Sequence, residues 1–469
     1  MPNSRFIRFE WATAGGARGL KGRLAQACSL AFVGLLLPPA AWGAGVTLPA
    51  AEHAIDPDRA GRYFEEAEAL SRRDGGRLWG VALYGPMILV DAETHEAVAN
   101  QADAEGQLAK RGKVFLGKLP SDVMVANTSM DWAGVHWTMI RWPLPDDPDR
   151  RARLMMHECF HRIQDKLGMK AVSPVNAQLE TREGRTWLLL EWRALEVALE
   201  ESEAQRRAAL RDALLFRAYR HSLFPKAAAE ERALEMNEGL AEYTGVRLST
   251  RSISEMVVLA ACGLRQARGQ ESLARGFAYI SGPAYGALLD SSGTQWRSRV
   301  KSNPDFAALS RAAYNLGPAT PSEAQAIAKA RTYRGDYVIA AEKERETTFK
   351  ERVAKYRAKF LSGPVLILPV GKAFNYSFDP NETVPLDEAN TIYLSSRVTD
   401  DWGILDAPGG VLMIREAGPI VRLQVPAPAK LSSNPLQGDG WTLNASKGWV
   451  VVPAERAGDY VLKPQNVQP

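Results

Sequence analysis

Two of the chain's six histidines, His157 and His161, lie four positions apart in the stretch LMMHECFHRIQDKLG. On a helix, side chains at this spacing project from one face, so both imidazoles can bind the same metal ion. Glu158 is rotated from His157 by about 100°, where its carboxylate can take a proton from a metal-held water without being a ligand. This HExxH spacing is typical of a zinc hydrolase. The alternative is a pair of solvated or core histidines on an ordinary helix.

A hydrolytic zinc site needs a third protein ligand and one position open to water. One class of zinc peptidases has a further histidine beyond the HExxH motif. In this chain, Gln164 and Leu167 occupy the positions where that class requires glycine and histidine. The sequence therefore excludes this class, and the third ligand must come from elsewhere.

A glutamate on a second helix is the other common third ligand. The stretch LEMNEGLAEYTG contains Glu238 and Glu242, four positions apart and on one helix face. We expect Glu238 to bind the metal and Glu242 to accept the ring N–H of a ligating histidine, which fixes the tautomer of that histidine. The alternative is a solvated acidic helix face. An intervening helix offers other carboxylates as substitute ligands: Glu180, Glu183 and Glu191.

Together the two motifs resemble those of the gluzincin metallopeptidases, especially the aminopeptidase N-like branch. A later stretch, FAYISGPAYGALLD, matches the Tyr-x-x-Gly element of that branch with Tyr279 and Gly282. The resemblance covers residues 130–290 approximately. The second motif matches the family at Asn237, Glu238, Gly239, Ala241, Glu242 and Tyr243.

The resemblance implies a zinc peptidase. The aminopeptidase N-like branch carries a Gly-x-Met-Glu-Asn element on a strand before the zinc helix, which captures the free amine of the substrate. The corresponding stretch here, WAGVHWTMIRWPLP, contains no glutamate, so aminopeptidase specificity is not implied. The resemblance implies that His157, His161 and Glu238 are the zinc ligands. It implies Glu158 as the general base and Tyr279 as the oxyanion donor. Asn237 and Glu242 are expected to support the ligands.

Three other residues are candidates for contact with a substrate. His221 could be a second oxyanion donor, or a helix-end histidine that bonds nearby carbonyls. Tyr285 could replace Tyr279 as the catalytic phenol, or be a packing residue. His136 precedes the histidine helix on a predicted strand, where it could touch substrate or have no role.

These observations predict a zinc-dependent peptidase that acts on peptide or protein substrates. One alternative is a zinc hydrolase of other amides or esters. A second is a degenerate scaffold that keeps zinc for stability and binds a partner. A third is a helical binding protein without metal, in which the motifs are accidental. Nothing in the sequence points to a particular oligomeric state.

The first forty-odd residues combine a basic leader with the apolar run ACSLAFVGLLLPPAAWGAG. This pattern predicts a signal peptide over residues 1–43 and export to the periplasm or the medium. A buried N-terminal helix or an uncleaved anchor is the alternative. The leader supplies the whole formal charge of +4, so the remaining chain is near neutral. Its charge pattern indicates neither nucleic-acid binding nor stable membrane insertion.

Changes in the residue pattern along the sequence predict an α+β fold with three regions after the leader. Residues 44–146 read as a helix followed by a small, mostly antiparallel sheet. Residues 147–362 read as a helical domain that contains the motifs, and 363–469 as a β-sandwich or barrel. Two cysteines follow the leader, Cys159 and Cys262, and we expect them not to pair.

Capping signals frame the helix that carries the histidines. Asp147 is a good N-cap, Pro148 suits the first helical position and Gly168 is a good stop. The predicted helix spans 148–167. The glutamate motif is predicted to lie on one continuous helix over 226–244.

Overall fold

The computed structural model describes residues 55–465, apart from 121–122, 319–320, 379–381, 388, 432 and 434. The predicted signal peptide lies outside the described residues. Within the described residues, no helix combines the length and apolar character that a membrane span needs. The described chain divides into two compact units, between Val338 and Ile339. The predicted α+β class is confirmed, since a sheet, a helical region and an all-β region follow each other along the chain.

The first unit begins with a helix and a sheet. The described strands are ordered β3-β4-β2-β1-β6-β5, and β1 and β6 are parallel while the other neighbours are antiparallel. The mostly antiparallel sheet expected from the sequence is therefore present. The bounds are α1 Pro57–Asp74, β1 Met87–Asp91, β2 Glu96–Ala99, β3 Ala109–Arg111, β4 Val114–Lys118, β5 Thr128–Trp132 and β6 Val135–Trp142.

Helices fill the rest of the first unit. A π-helical segment, Glu235–Gly239, joins α5 directly to α6. The helices are α2 Pro148–Gln164, α3 Arg182–Glu200, α4 Glu203–Leu223, α5 Ala227–Leu234, α6 Leu240–Ser249, α7 Ile253–Gln266, α8 Gly276–Ser291, α9 Phe306–Ala313, α10 Glu323–Ala330 and α11 Gly335–Arg357, the last of which contains the point that divides the two units.

Helix α2 begins where its capping residues predicted it, but it ends at Gln164, three residues before the predicted end. The Asp147 carboxylate accepts a hydrogen bond of 2.8 Å from the backbone N–H of Arg150, and Pro148 is the first helical residue. Gly168 follows the helix with φ of 72°, a left-handed conformation that glycine adopts without strain. Met155 and Phe160 are fully buried. The apolar face of α2 thereby fixes the helix against the core and leaves its histidine face for other contacts.

The glutamate motif does not form the single α-helix that was predicted over 226–244. It is interrupted by the π-helical segment and continues to Ser249 in α6. Sequence periodicity does not reveal such an interruption, because one wide turn shifts the helical phase without changing the residue types. Glu238 belongs to the π-helical segment and Glu242 to α6.

Glycines allow the elements of the motifs to pack closely. A Cβ added at Gly282 would lie 2.2 Å from the carbonyl oxygen of Gly239, and one at Gly245 would lie 2.6 Å from that of Arg153. Both distances are far below van der Waals contact. The first glycine pair brings α8 against the π-helical segment, and the second contact brings α6 against α2. Cys159, also on α2, is a free buried cysteine, so it does not pair with Cys262.

The second unit is built mainly of strands. Two sheets, ordered β17-β18-β7-β14-β13-β10-β9 and β15-β16-β12-β11-β8, are present among its described residues. One core cluster draws residues from both sheets, such as Leu366, Met413, Leu405 and Leu443, as in a sandwich. The strands are β7 Val365–Pro369, β8 Asn375–Ser377, β9 Thr383–Pro385, β10 Asn390–Tyr393, β11 Ser396–Asp400, β12 Gly403–Ala407, β13 Val411–Arg415, β14 Ile420–Pro426, β15 Leu436–Gly438, β16 Trp441–Ala445, β17 Trp449–Pro453 and β18 Tyr460–Pro464.

Candidate metal centre

Three potential metal ligands from two segments converge in the first unit. The Nε2 atoms of His157 and His161 are 3.1 Å apart, and Glu238 Oε2 lies 3.4 Å from the first and 3.5 Å from the second. His157 is 2% exposed and Glu238 8%. We call these three residues the metal cluster; it is the group with metal-ligand geometry found among the described residues.

The other ring nitrogen of each histidine is held by an oxygen acceptor. His157 Nδ1 lies 2.7 Å from Glu242 Oε2, and His161 Nδ1 lies 2.9 Å from Gln164 Oε1. When a ring is neutral, its Nδ1 can therefore carry the proton, which leaves the Nε2 lone pair available to a metal ion. Glu242 is fixed in turn by Arg153. Outer contacts of this kind orient histidine ligands in metal sites.

The metal cluster is electrostatically short of one positive charge. Two imidazole lone pairs and a carboxylate oxygen face each other at about the contact distance of a hydrogen bond. Burial opposes a charge on His157, but hydrogen bonds with Glu238 and Glu242 raise its pKa to about 10. The pKa of Glu238 is held far below its usual range, because the two histidines outweigh burial. The cluster attracts a cation, and in the absence of a metal a proton takes that role.

The dimensions of the cluster fit a small divalent ion. A point in the plane of the three atoms and equidistant from them lies about 1.9 Å from each. This distance is slightly shorter than zinc bonds to nitrogen and oxygen, which measure about 2.0–2.2 Å. An ion displaced slightly from the plane meets all three distances and keeps one side open. Two imidazoles and one carboxylate are also a ligand set that zinc accepts in hydrolases.

Glu158 lies beside the cluster without belonging to it. Its Oε1 is 4.0 Å from His157 Nε2, and the residue is 3% exposed. Its Oε2 is buried and has no hydrogen-bond partner among the described residues. Burial raises the pKa of this carboxyl above its usual value, although the two histidines oppose the shift. A buried oxygen acceptor without a donor is costly, so this atom is suited to receive a proton from a ligand of the site.

The π-helical segment determines the direction of Glu238. All five of its residues are buried, and π-helical turns are frequent at functional sites. Asn237 donates to Ser173 Oγ at 3.0 Å and accepts from Gln164 Nε2 at 3.1 Å. The segment is thus tied to the same Gln164 side chain that orients His161. This chain of bonds connects the two halves of the metal cluster.

Of the two candidate phenols, the structure brings Tyr279 to the cluster and not Tyr285. Tyr279 donates to Glu238 Oε2 at 2.6 Å, and its ring stacks on that of His157 with an interplanar angle of 4°. Burial and the neighbouring Glu238 raise the pKa of Tyr279 well above its usual range, which keeps the phenol protonated. Tyr285 is fully buried and donates to Glu191 at 2.7 Å.

The remaining candidates lie in other environments. His221 Nε2 is 2.9 Å from Glu231 Oε2, and His136 Nδ1 is 2.8 Å from Asp131 Oδ1 on the neighbouring strand. The substitute ligands also have partners of their own. Glu191 pairs with Arg217 and Arg220, Glu180 accepts from the backbone N–H groups of Leu273 and Ala274, and Glu183 contacts Arg182.

Three residues around the cluster were not anticipated from the sequence. Gln164 follows His161 by three positions, and Arg153 precedes His157 by four, so helical spacing alone places both near the histidine face. That signal was available. Ser173 lies in the loop after α2, and loop positions carry no such periodic signal.

Comparison with known proteins finds no matching family model, no similar curated protein and no similar solved structure. The candidate metal centre therefore rests on its own geometry.

Proposed function

We propose that this protein is a zinc-dependent hydrolase that cleaves peptide bonds. The observation that carries the proposal is the triangle of His157, His161 and Glu238, whose edges of 3.1, 3.4 and 3.5 Å match a tetrahedral ion with three protein ligands. Two imidazoles and a carboxylate would hold the ion. Glu242 and Gln164 would keep both Nε2 lone pairs directed at it.

The chemistry requires a base beside the ion. When bound, zinc supplies a Lewis acid that lowers the pKa of a water to about 7. The Glu158 carboxylate would accept a proton from the attacking water. The water oxygen then bonds to the carbonyl carbon, and Glu158 returns the proton to the amine nitrogen as the C–N bond breaks. Its unpartnered Oε2 supports this role.

Tyr279 would donate to the oxygen of the substrate carbonyl as charge develops there. Its hydroxyl is protonated and lies at the cluster, where it now donates to Glu238. In this role the phenol would exchange Glu238 for the substrate oxygen as its hydrogen-bond acceptor. A single donor of this kind contributes about 3–4 kcal/mol to catalysis.

Peptides are the substrate class that the surroundings favour. Strand β5 packs against α2 and lies at the edge of the sheet, and within the described residues it pairs only with β6. An extended peptide can add to such an edge through main-chain hydrogen bonds. This mode of binding would align a peptide beside the histidine helix. A small ester or a compact amide has no comparable use for an exposed strand edge.

The test is cleavage of a peptide library by the zinc-loaded chain, with cut positions mapped by mass spectrometry. Glu158→Gln should lower the rate at least a hundredfold, since general bases contribute about 10²–10⁴-fold, while zinc content stays at one equivalent. Asp165→Asn, an exposed change just after α2, is the control and should retain the wild-type rate. Cleavage of esters or non-peptide amides alone would replace peptidase with another hydrolase. Full activity in Glu158→Gln would reject the assigned base.

A further inference from the structure

A second buried polar group adjoins the segment that carries Glu238. It consists of two arginines on α4 and three glutamates, each no more than 3% exposed. We call it the arginine–glutamate cluster: Arg217, Arg220, Glu191, Glu231 and Glu235. No step of the proposed reaction uses these residues.

Each arginine of this cluster grips one glutamate with two nitrogens. Arg217 Nη1 lies 2.9 Å from Glu235 Oε1, and its Nη2 contacts Glu235 Oε2. Arg220 Nε and Nη2 lie 2.9 and 2.6 Å from the two oxygens of Glu231. Glu191 joins the arginines, with oxygens 3.1 Å from Arg217 Nη1 and 2.8 Å from Arg220 Nη1. A planar fork on a carboxylate fixes direction as well as distance.

Stability alone does not account for this arrangement. The burial of paired charges costs desolvation energy, and apolar residues of similar size often serve a core equally well or better. The best-attested use of such groups is to select one register among several. Here the residue that Arg217 grips, Glu235, is the first of the π-helical segment, three positions before Glu238.

The register of that segment determines where Glu238 points. In an α-helix, side chains three positions apart diverge by about 60°, and the wider π turn increases the divergence. Glu235 can therefore face Arg217 on α4 while Glu238 faces the histidines on α2. If the segment relaxed to an α-helical turn, the two glutamates could not satisfy both neighbours. Gln164 and Ser173 hold the middle of the segment, and Arg217 holds its beginning.

We propose that Arg217 is a positioning residue for the metal centre, which acts through Glu235 to hold the π-helical register that directs Glu238 at the two imidazoles. Arg220 and Glu231 brace the preceding turn. This inference rests on the proposed function in so far as Glu238 is a zinc ligand. It predicts that a change in a pair that does not touch the metal alters the metal site itself.

The test uses the full chain at pH 8 and the double variant Arg217→Gln with Glu235→Gln, which keeps the net charge and some hydrogen bonding. Zinc affinity is measured by chelator competition, and the visible absorption spectrum of the cobalt-substituted protein reports ligand geometry. We expect affinity to fall about 10–100-fold, the range for residues that support metal ligands, with an altered cobalt spectrum. Arg217→Lys, which keeps the charge but not the fork, should give a smaller loss and covers the case in which the double variant does not fold.

The matched control is Arg151→Gln with Glu66→Gln, a largely buried pair between α2 and α1 with a separation of 2.8 Å. It should lower the unfolding temperature without changing zinc affinity by more than about twofold, a shift well below the 10–100-fold range. Wild-type affinity and an unchanged spectrum in both Arg217 variants would overturn the inference while leaving the proposed function intact. Failure of the wild-type chain to bind zinc or cobalt would reject both.

Discussion

The metal cluster and the arginine–glutamate cluster are both buried in the first unit, but they differ in the source of the positive charge that faces their carboxylates. In the arginine–glutamate cluster, every guanidinium faces carboxylates of the same chain. In the metal cluster, two imidazole Nε2 atoms and a carboxylate face one another, and Arg153 contacts Glu242 beside them. We call the first cluster closed, because its own arginines supply positive charge to its carboxylates. We call the second cluster open, because the proposed cation would come from outside the chain.

This contrast separates groups that set the fold from groups that accept a ligand. Removal of one member of a closed cluster should lower the free energy of unfolding whether or not metal is present. An open cluster should respond instead to the supply of metal.

Deletion of one charge from the closed cluster should destabilise the folded chain. Arg220→Met leaves Glu231 and part of Glu191 buried without a counter-charge, so the free energy of unfolding in urea should fall by about 3–5 kcal/mol. The control, Arg211→Met on the exposed face of the same helix, should change it by less than about 0.5 kcal/mol. Equal effects of the two variants would show that the cluster is not an energetic unit.

The open cluster should be stabilised by zinc. At free zinc about a thousandfold above the dissociation constant, the free energy of unfolding should rise by about 4 kcal/mol relative to the chelator-treated chain. His157→Ala removes a ligand and should abolish this increment, whereas His136→Ala on β6 should retain it. An increment that survives His157→Ala means that the metal binds somewhere else.

The closed cluster should also respond to pH through Glu235. Burial, reinforced by Glu191 and Glu231 and opposed by Arg217, raises the pKa of Glu235 from 4.5 to about 7. The folded chain therefore retains a proton that the unfolded chain releases between pH 4.5 and 7. The contribution of this group to stability is complete below pH 4.5 and is lost as pH rises to 7.

Comparison with Glu235→Gln isolates this effect from other titrating groups. In the presence of chelator, the stability of the wild type should fall relative to that of the variant by on the order of 3 kcal/mol between pH 4.5 and 7. Urea unfolding across this range measures the difference. A wild-type curve that runs parallel to that of the variant would contradict the raised pKa.

Each tyrosine should affect the cluster that its hydroxyl contacts, which is the closed cluster for Tyr285 and the open cluster for Tyr279. Tyr285→Phe removes a hydrogen bond to the charged Glu191 and should cost about 2 kcal/mol of stability with the cleavage rate unchanged. Tyr279→Phe should cost less stability but lower kcat roughly a hundredfold or more, the effect of losing one oxyanion donor. The opposite result would exchange the assignments of the two phenols.

Much of the candidate site could be anticipated from residue spacing. The pair His157 and His161 and the start of α2 follow from local rules, since Asp147 and Pro148 set the helix phase and helical geometry does the rest. The contact of Glu242 with a histidine ring also followed from the expectation that ligating imidazoles are held by outer acceptors. The first two inferences depend on residues within a few turns of one another, whereas Glu242 was anticipated from its spacing to Glu238 in a motif 85 positions from His157.

Other features had no local signal. The π-helical segment replaced the continuous helix that was expected over 226–244, and its partners lie on distant elements: Gln164 on α2, Arg217 on α4 and Gly282 on α8. The bonds of Tyr285 and His221 to buried glutamates likewise depend on partners far away in the chain. Residue type alone could not distinguish a catalytic phenol from a structural one.

Residue types and their spacing are enough to identify the chemical groups of the site: two imidazoles on one helix face, a carboxylate beside them, and a glutamate motif at a distance. Helical periodicity carries that information because it is a short-range property of the backbone. Which glutamate meets the imidazoles, which tyrosine joins them and which charged side chains pair with one another became evident from the folded chain. Those choices depend on close packing between distant segments, including the contact of Gly239 with Gly282 and the π-helical turn.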